Sequence, residues 1–500
     1  MDKWINKYND PGAEYRAHPF WSWNDDLEEE ELRRQIRLIA ESGQGGFFMH
    51  ARDGLDTGYL DDNWFKMVNV CADEAKKCGI EAWCYDEYGW PSGSAGGVIQ
   101  ELKYENNQFV LRCLPLKNGE KTKGDVLGFY GVNEDLTYER ILADNVEDAF
   151  AGLKDGQKLY YGTALAVGDY VDVLNPAVVK DFIDYTHGQY HSSNPTAFES
   201  GMLKGFFTDE AEYALCKTPW TMVADEEFSK RYGYDVRDHI PALFLQTPNK
   251  EAVRYDYWRM ISNLFTESFM KQIYDWCDEH KTKLTGHVMM EDNLLCQIHC
   301  TAGAMPSYEY MHIPGVDWLG RGTAPSKIDK REGIPIVPLQ VGSVAAQLGK
   351  KQVLTETYAM SGWDASFNEF RHLADWQYLS GVNYMCQHLA GYSMRGRRKN
   401  DYPPSMFYQS PFWKEYKTFM DYLARLGNIL SDGADKTDVM MIHPMQSIWI
   451  KYTNDDLCGE DAFDTAFMET SLKLYEYHIP YHFGDETLIR RHVELKTASL

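Results

Sequence analysis

The sequence predicts an α/β protein, a TIM (β/α)8 barrel with a small β insertion after strand three and the start of a C-terminal α/β domain. Three observations carry this. Short apolar runs alternate with amphipathic helical patterns over about the first 430 residues, eight such runs can be placed in order, and most of them end in polar residues.

PFWSW (19–23) reads as strand one. The helix after it carries Leu32, Ile36 and Ile39 on its apolar stripe, with Asn24 to Asp26 as N-caps and Gly43 as its stop. GGFFMHAR (45–52) is strand two. A helix capped near Asp62 buries Phe65, Val68, Ala72 and Ala75 and ends at Gly79. IEAWCYDEYGWPSG (80–93) is strand three and a long loop. Alternation then breaks, and short β segments from about 105 to 172 predict the insertion. A helix over 176–192 restores the pattern before KGFFTDEAE (204–212), strand four. A long helix over about 251–280 aligns Tyr257, Ile261, Leu264, Phe265, Phe269, Ile273 and Trp276. KLTGHVMMED (283–292) is strand five, and strand six lies within 308–319, at YEYM or VDWL. QVLTETYAM (352–360) is strand seven, followed by a helix near 367–380 and strand eight, GVNYMCQHLAGYS (381–393). The pattern divides the chain into a barrel, residues 1–434, and the beginning of a second α/β domain, 435–500, that stops before it closes.

A net charge of −25 argues against a nucleic-acid partner, because phosphate binding wants a basic surface. No apolar run approaches the roughly 20 residues of a membrane span. The opening MDKWINKYNDPG has no apolar segment of the secretory kind. The ten cysteines lack a CxxC pair, so reduced thiols in a cytoplasmic protein are expected. Aromatic residues make up 14%, which suits a site that stacks on sugar rings as well as a large core.

Barrel chemistry sits at the C-terminal ends of the strands. Strand two ends in His50 and Arg52, and strand three in Asp86 and Glu87 with Trp90 beyond. Strand four ends in Asp209, Glu210 and Glu212, and strand five in His287 and Glu291. Strand seven brings Glu356 and Tyr358, then Trp363, and strand eight brings His388. Glycoside hydrolysis needs one protonated and one ionised carboxyl group, and crowded carboxylates raise one another's pKa. Glu210 or Glu212 with Glu356 is the expected pair. The other named residues are expected to contact sugar, within an acidic pocket rimmed by Trp90 and Trp363. Any one of them alone serves equally as a helix cap or a core residue; the set together points to a site. GWPSGSAGG (89–97) lacks GxGxxG spacing and reads as a shaped loop rather than a phosphate cradle. A non-catalytic carbohydrate-binding barrel would not need the carboxylate pairs. A metal-dependent hydrolase would need HxH or HExxH, which are missing.

PFWSWN, GGFFMHAR, WCYDEYGWPSGSAGG, FFTDEAE, TGHVMMED and LTETYAMSGW, in this order, resemble the barrel of glycoside hydrolase family 106, the α-L-rhamnosidase type. RGRRKNDYPPSMFYQSPFW is similar to the loop that closes that barrel. The resemblance implies an inverting glycosidase with two essential glutamates, acting on an oligosaccharide or glycoside, with no required cofactor and room for a calcium ion. The strand-four acids and Glu356 match the family's catalytic positions. Asp209 and Glu212 satisfy its Asp-x-x-Glu arrangement, while the DEAE here makes Glu210 a competitor. Residues after 435 resemble the amidotransferase-like domain that follows the barrel in some β-galactosidases.

Overall fold

The computed structural model describes residues 2–213, 217–323, 336–433, 435–453 and 460–494. Eight parallel strands form the barrel: Phe20–Trp23, Gly46–Ala51, Glu81–Tyr88, Leu203–Ala211, Lys283–Val288, Ile313–Trp318, Leu354–Thr357 and an eighth in two pieces, Tyr384–Gln387 and Ala390–Gly391. The first piece pairs with strand seven and the second with strand one, through Trp21–Ala390 and Ser22–Gly391, so the sheet closes on itself. Strand six is the VDWL alternative; the YEYM alternative begins in a short helix, Met305–Tyr308.

Period-two alternation explains both faces of the barrel wall. Trp21, Trp23, Phe47 and Met49 point outward into the helix layer. Phe20, Phe48, Trp83, Tyr85, Phe207, Ile313, Leu354, Tyr384 and Cys386 point inward and pack together. Phe207 meets Phe20 and Phe48 edge-on, with ring centroids 4.6 and 5.1 Å apart. Such aromatic pairs contribute about 0.5–1.5 kcal/mol each beyond their burial. This apolar layer is the floor on which the site stands.

The helices follow the sequence closely, with local exceptions. Leu32, Ile36 and Ile39 are buried on the helix Glu29–Glu41. The expected caps Asn24 to Asp26 do not cap it; Glu28 stands at the cap position without a side-chain bond. Asn24 and Asp25 turn instead to the loop after strand eight, where Asn24 bonds Ser393 and Asp25 pairs with Arg395. Asp61 caps the helix Asp62–Cys78, and Gly79 ends it with φ +72°, a conformation that favours glycine. The 176–192 segment is two helices, Pro176–Tyr185 and His187–Ser193, parted where the Thr186 hydroxyl bonds the Phe182 carbonyl.

The insertion is an antiparallel sheet in which Lys158–Val171 pairs with both Asn107–Pro115 and Asp125–Val132, and Tyr138–Ile141 flanks it. Pro219–Trp220, from beyond strand four, adds to its edge. After the barrel, Val439–His443 and Tyr481–Asp485 form a parallel pair of their own. That pair is tied to the helix Ile336–Leu348 by Phe483, whose amide donates to Ser343 and whose carbonyl accepts from Gln347. Among the described residues no helix is long and apolar enough to cross a membrane. Cys216 and Cys458 lie outside the described residues; the other eight cysteines are free thiols.

Candidate active site

The same alternation that points aromatic rings inward places an ionisable layer directly above them. Two residues beyond the inward Phe48, Phe207, Thr285, Leu354 and Cys386 stand His50, Asp209, His287, Glu356 and His388. Asp317, two beyond Gly315 on strand six, belongs to the same layer.

His287 is the hub. Its Nε2 lies 2.8 Å from a Glu356 oxygen and 3.4 Å from an Asp209 oxygen, with all three groups buried. Burial by itself would depress the imidazole pKa, but the Asp209 and Glu356 carboxylates hold it well above the usual histidine range. The Tyr85 hydroxyl donates to the other Asp209 oxygen at 2.5 Å. Glu356 is itself raised by burial and drawn back by its bond to His287. Asp317 is raised well above the carboxylate range by burial and by the neighbouring Glu356 charge.

Glu210 reaches this cluster through a bulge. Strand four pairs Thr208 with Gly286 and then Ala211 with Val288, so it carries one extra residue over that interval. Within it Glu210 has φ +50°, a strained conformation for a side chain of this kind. Gly286 permits the close approach, since a Cβ there would meet the Thr208 carbonyl oxygen at 1.9 Å. The bulge swings Glu210 from the face that strict alternation assigns it. One ligand-type atom each from Asp209, Glu210 and His287 lies within 4.8 Å of the others. Burial and then the Asp209 charge push Glu210 up to about 8. Glu212, beyond the bulge, is pushed to about 8 by burial alone, lies near Tyr170 and Cys300, and is not one of the three side chains that converge at His287.

Arg52 closes the opposite side. Its guanidinium grips Asp401 with two 2.9 Å bonds, approaches His388 Nε2 at 3.3 Å and lies 4.3 Å under the Trp90 ring. Tyr402 meets Trp90 edge-on at 5.6 Å. His50, stacked 3.7 Å from Tyr85, and His388 are both held well below the usual histidine range by burial, with the Arg52 charge adding to it. Trp90 and Trp363 are 41% and 43% exposed, on the loops after strands three and seven.

Four expected sugar contacts are placed otherwise. Tyr358 points into the helix layer, where its hydroxyl donates to the Phe370 carbonyl and its ring packs on Phe370 and Phe419. Glu87 accepts backbone N–H groups from Tyr88, Gly93, Ser94, Ala95 and Gly96, which makes it the anchor of the GWPSGSAGG loop. Burial pushes it to about 6, with those N–H bonds pulling it back. Asp86 sits behind the strand, bonded to Ser92 at 2.6 Å and 3.7 Å from His187. Glu291 spends one oxygen on the Tyr308 hydroxyl at 2.8 Å and the other on the Asp317 amide at 3.2 Å. His50, Asp209, His287, Glu356 and His388 are all at most 5% exposed, and a cavity of about 1450 Å³ opens elsewhere, on the inserted sheet. Asp317 and Asp401 escaped the sequence reading. Asp317 was findable by period two once VDW is taken as strand six; Asp401 sits on a loop, where no periodicity points to it.

Asp209, Glu210 and His287 are the group of metal-ligating side chains that the described residues bring together. Calcium takes six to eight oxygen ligands. Here one of three donors is an imidazole nitrogen already bonded to Glu356, and the other Asp209 oxygen is taken by Tyr85. This donor set does not fit calcium.

A family model described as α-L-rhamnosidase, glycoside hydrolase family 106, matches residues 156–470, more than half of the chain. A protein of Formosa agariphila named "Putative beta-glucuronidase" is 22% identical over 94% of this chain and 44% of its own length. A rhamnosidase from Novosphingobium sp. PP1Y superposes with a TM-score of 0.65 at 14% identity, over 96% of this chain and 64% of that one. A catalytic mutant of a GH42 β-galactosidase from G. stearothermophilus gives 0.57 at 10% identity, over 96% and 67%. At such identities the two structures speak for the fold, and the chain spans less than half the length of the curated relative it matches. The match across more than half of its residues makes the chain a member of glycoside hydrolase family 106.

Proposed function

We propose that the chain is a glycosidase that removes a terminal neutral or deoxy sugar, an α-L-rhamnoside first among them, with inversion at the anomeric carbon. Glu210 is the general acid and Glu356 the general base. The observation that carries this is the pair of unlike environments around one histidine. Glu210, held up to about 8, keeps its proton at neutral pH, while Glu356 faces an imidazole that its own charge helps to protonate. Glu210 gives its proton to the glycosidic oxygen as the bond to the anomeric carbon breaks. Glu356 takes a proton from the water that attacks that carbon, so the products are an alcohol and a sugar of inverted configuration. Trp90 and Trp363, exposed on the rim, provide apolar faces for the ring.

A panel of p-nitrophenyl glycosides that includes the α-L-rhamnoside tests this, with NMR of the first-formed anomer. Release from the rhamnoside with inversion is expected. Retention would make Glu356 a nucleophile, and silence across the whole panel would remove the glycosidase reading.

A further inference from the structure

Among the described residues Arg52 brings a guanidinium to the ionisable layer, and it is not free. Its side chain is 4% exposed, while its partner Asp401 is 18% exposed, so the carboxylate stands on the solvent side of the pair. The loop that carries Asp401 is strapped down at both ends. Arg395 pairs with Asp25, Arg398 bonds the carbonyls of Asn24 and Gly54, and the amide of Gly362 donates to the Pro403 carbonyl. The guanidinium is further trapped under the Trp90 ring and beside His388. A flat, buried, bidentate cation of this kind is a ready-made carboxylate receptor. In this chain the receptor is filled from within. Across the mouth the remaining groups are mostly acidic: Asp209, Glu210, Asp317 and Glu356. Among the described residues, an anionic sugar would therefore meet an arginine already paired and, across from it, carboxyl groups beside a histidine that is spent on Asp209 and Glu356.

Resting on the glycosidase reading above, we infer that Asp401 is a specificity-determining residue. By occupying both guanidinium bonds of Arg52 it restricts the site to uncharged sugars, and its removal turns Arg52 into a receptor for a sugar carboxylate. Asp401→Asn keeps the shape and removes the charge; Asp401→Ala also opens the space a ligand carboxylate would fill.

The test compares sugars that differ only in a carboxylate in place of the terminal CH₂OH: glucuronate against glucose, galacturonate against galactose, mannuronate against mannose. Each is measured as an inhibitor of whichever glycoside the wild-type chain cleaves. In the wild type the acid of each pair should bind more weakly than its neutral partner. In Asp401→Ala the acid-to-neutral ratio should shift toward the acid by about tenfold or more, because an unpaired buried guanidinium favours any carboxylate that reaches it. Asp401→Glu should stay near the wild type, and Arg52→Gln added to Asp401→Ala should cancel the gain. An unchanged ratio in the folded Asp401 variants overturns the inference while leaving the glycosidase reading intact. If neither variant folds, the wild type still decides: acids that bind as well as their neutral partners overturn it. A chain that cleaves no glycoside removes both readings together.

Discussion

His287 Nε2 stands 2.8 Å from Glu356 and 3.4 Å from Asp209, so one imidazole from strand five bridges carboxylates of strands four and seven. The bridge lets these two acidic strand ends converge in a buried space, and it ties the protonation of Glu356 to that of His287.

Replacing His287 by Gln leaves two buried carboxylates without their cation. Breaking a buried pair in this way costs about 3–5 kcal/mol, read as a lower denaturation midpoint. In the surviving enzyme Glu356 becomes harder to ionise, so the acid limb of kcat/KM moves to higher pH.

Glu356→Gln and Glu210→Gln each remove one proton-transfer group and should lower kcat by about 10²–10⁴-fold. Only the Glu210 variant should recover on substrates with a good leaving group, because such substrates need no acid. Glu212→Gln, not one of the three side chains that converge at His287, should stay near the parent rate. Steady-state kinetics on p-nitrophenyl and alkyl glycosides separate the three.

The pH profile should be bell-shaped. Activity rises as Glu356 loses its proton, above its own ordinary value, and falls as Glu210 loses its own near pH 8. Stability shares the basic side of this. The folded chain holds the Glu210 proton more tightly than the unfolded chain, so this residue's contribution is present below its ordinary pKa and declines as pH rises toward 8. Urea midpoints measured across that window should fall less steeply in Glu210→Gln.

Glu87→Gln tests an anchor rather than a sugar contact. An amide in place of the carboxylate cannot accept all five backbone N–H groups, and the loss should be about 1–3 kcal/mol. Since the loop also carries Trp90, KM should rise while kcat changes little.

Tyr358→Phe removes a hydroxyl that bonds the Phe370 carbonyl inside the helix layer. It should cost about 1 kcal/mol of stability and leave KM unchanged. A large rise in KM would return Tyr358 to the site.

The order of the strands, the inserted sheet and the placement of His50, Asp209, His287, Glu356 and His388 at the strand ends were all legible in the residues. Local periodicity carries that information: alternation by two assigns each side chain to one face of the wall before any partner is known. What periodicity cannot express is a relation between segments far apart in the chain. Whether Glu210 or Glu212 joins His287 depends on an extra residue in the register between strands four and five, and on Gly286 allowing the approach. That Tyr358 leaves the site, that Glu87 turns to its own loop, and that Asp401 from 349 residues away claims Arg52 are likewise decided by contacts formed only when the barrel closes. The sequence alone determined which face of the barrel bears the ionisable groups. The tertiary structure decided which of them meet, because burial and neighbouring charge, unlike periodicity, are properties of the assembled space.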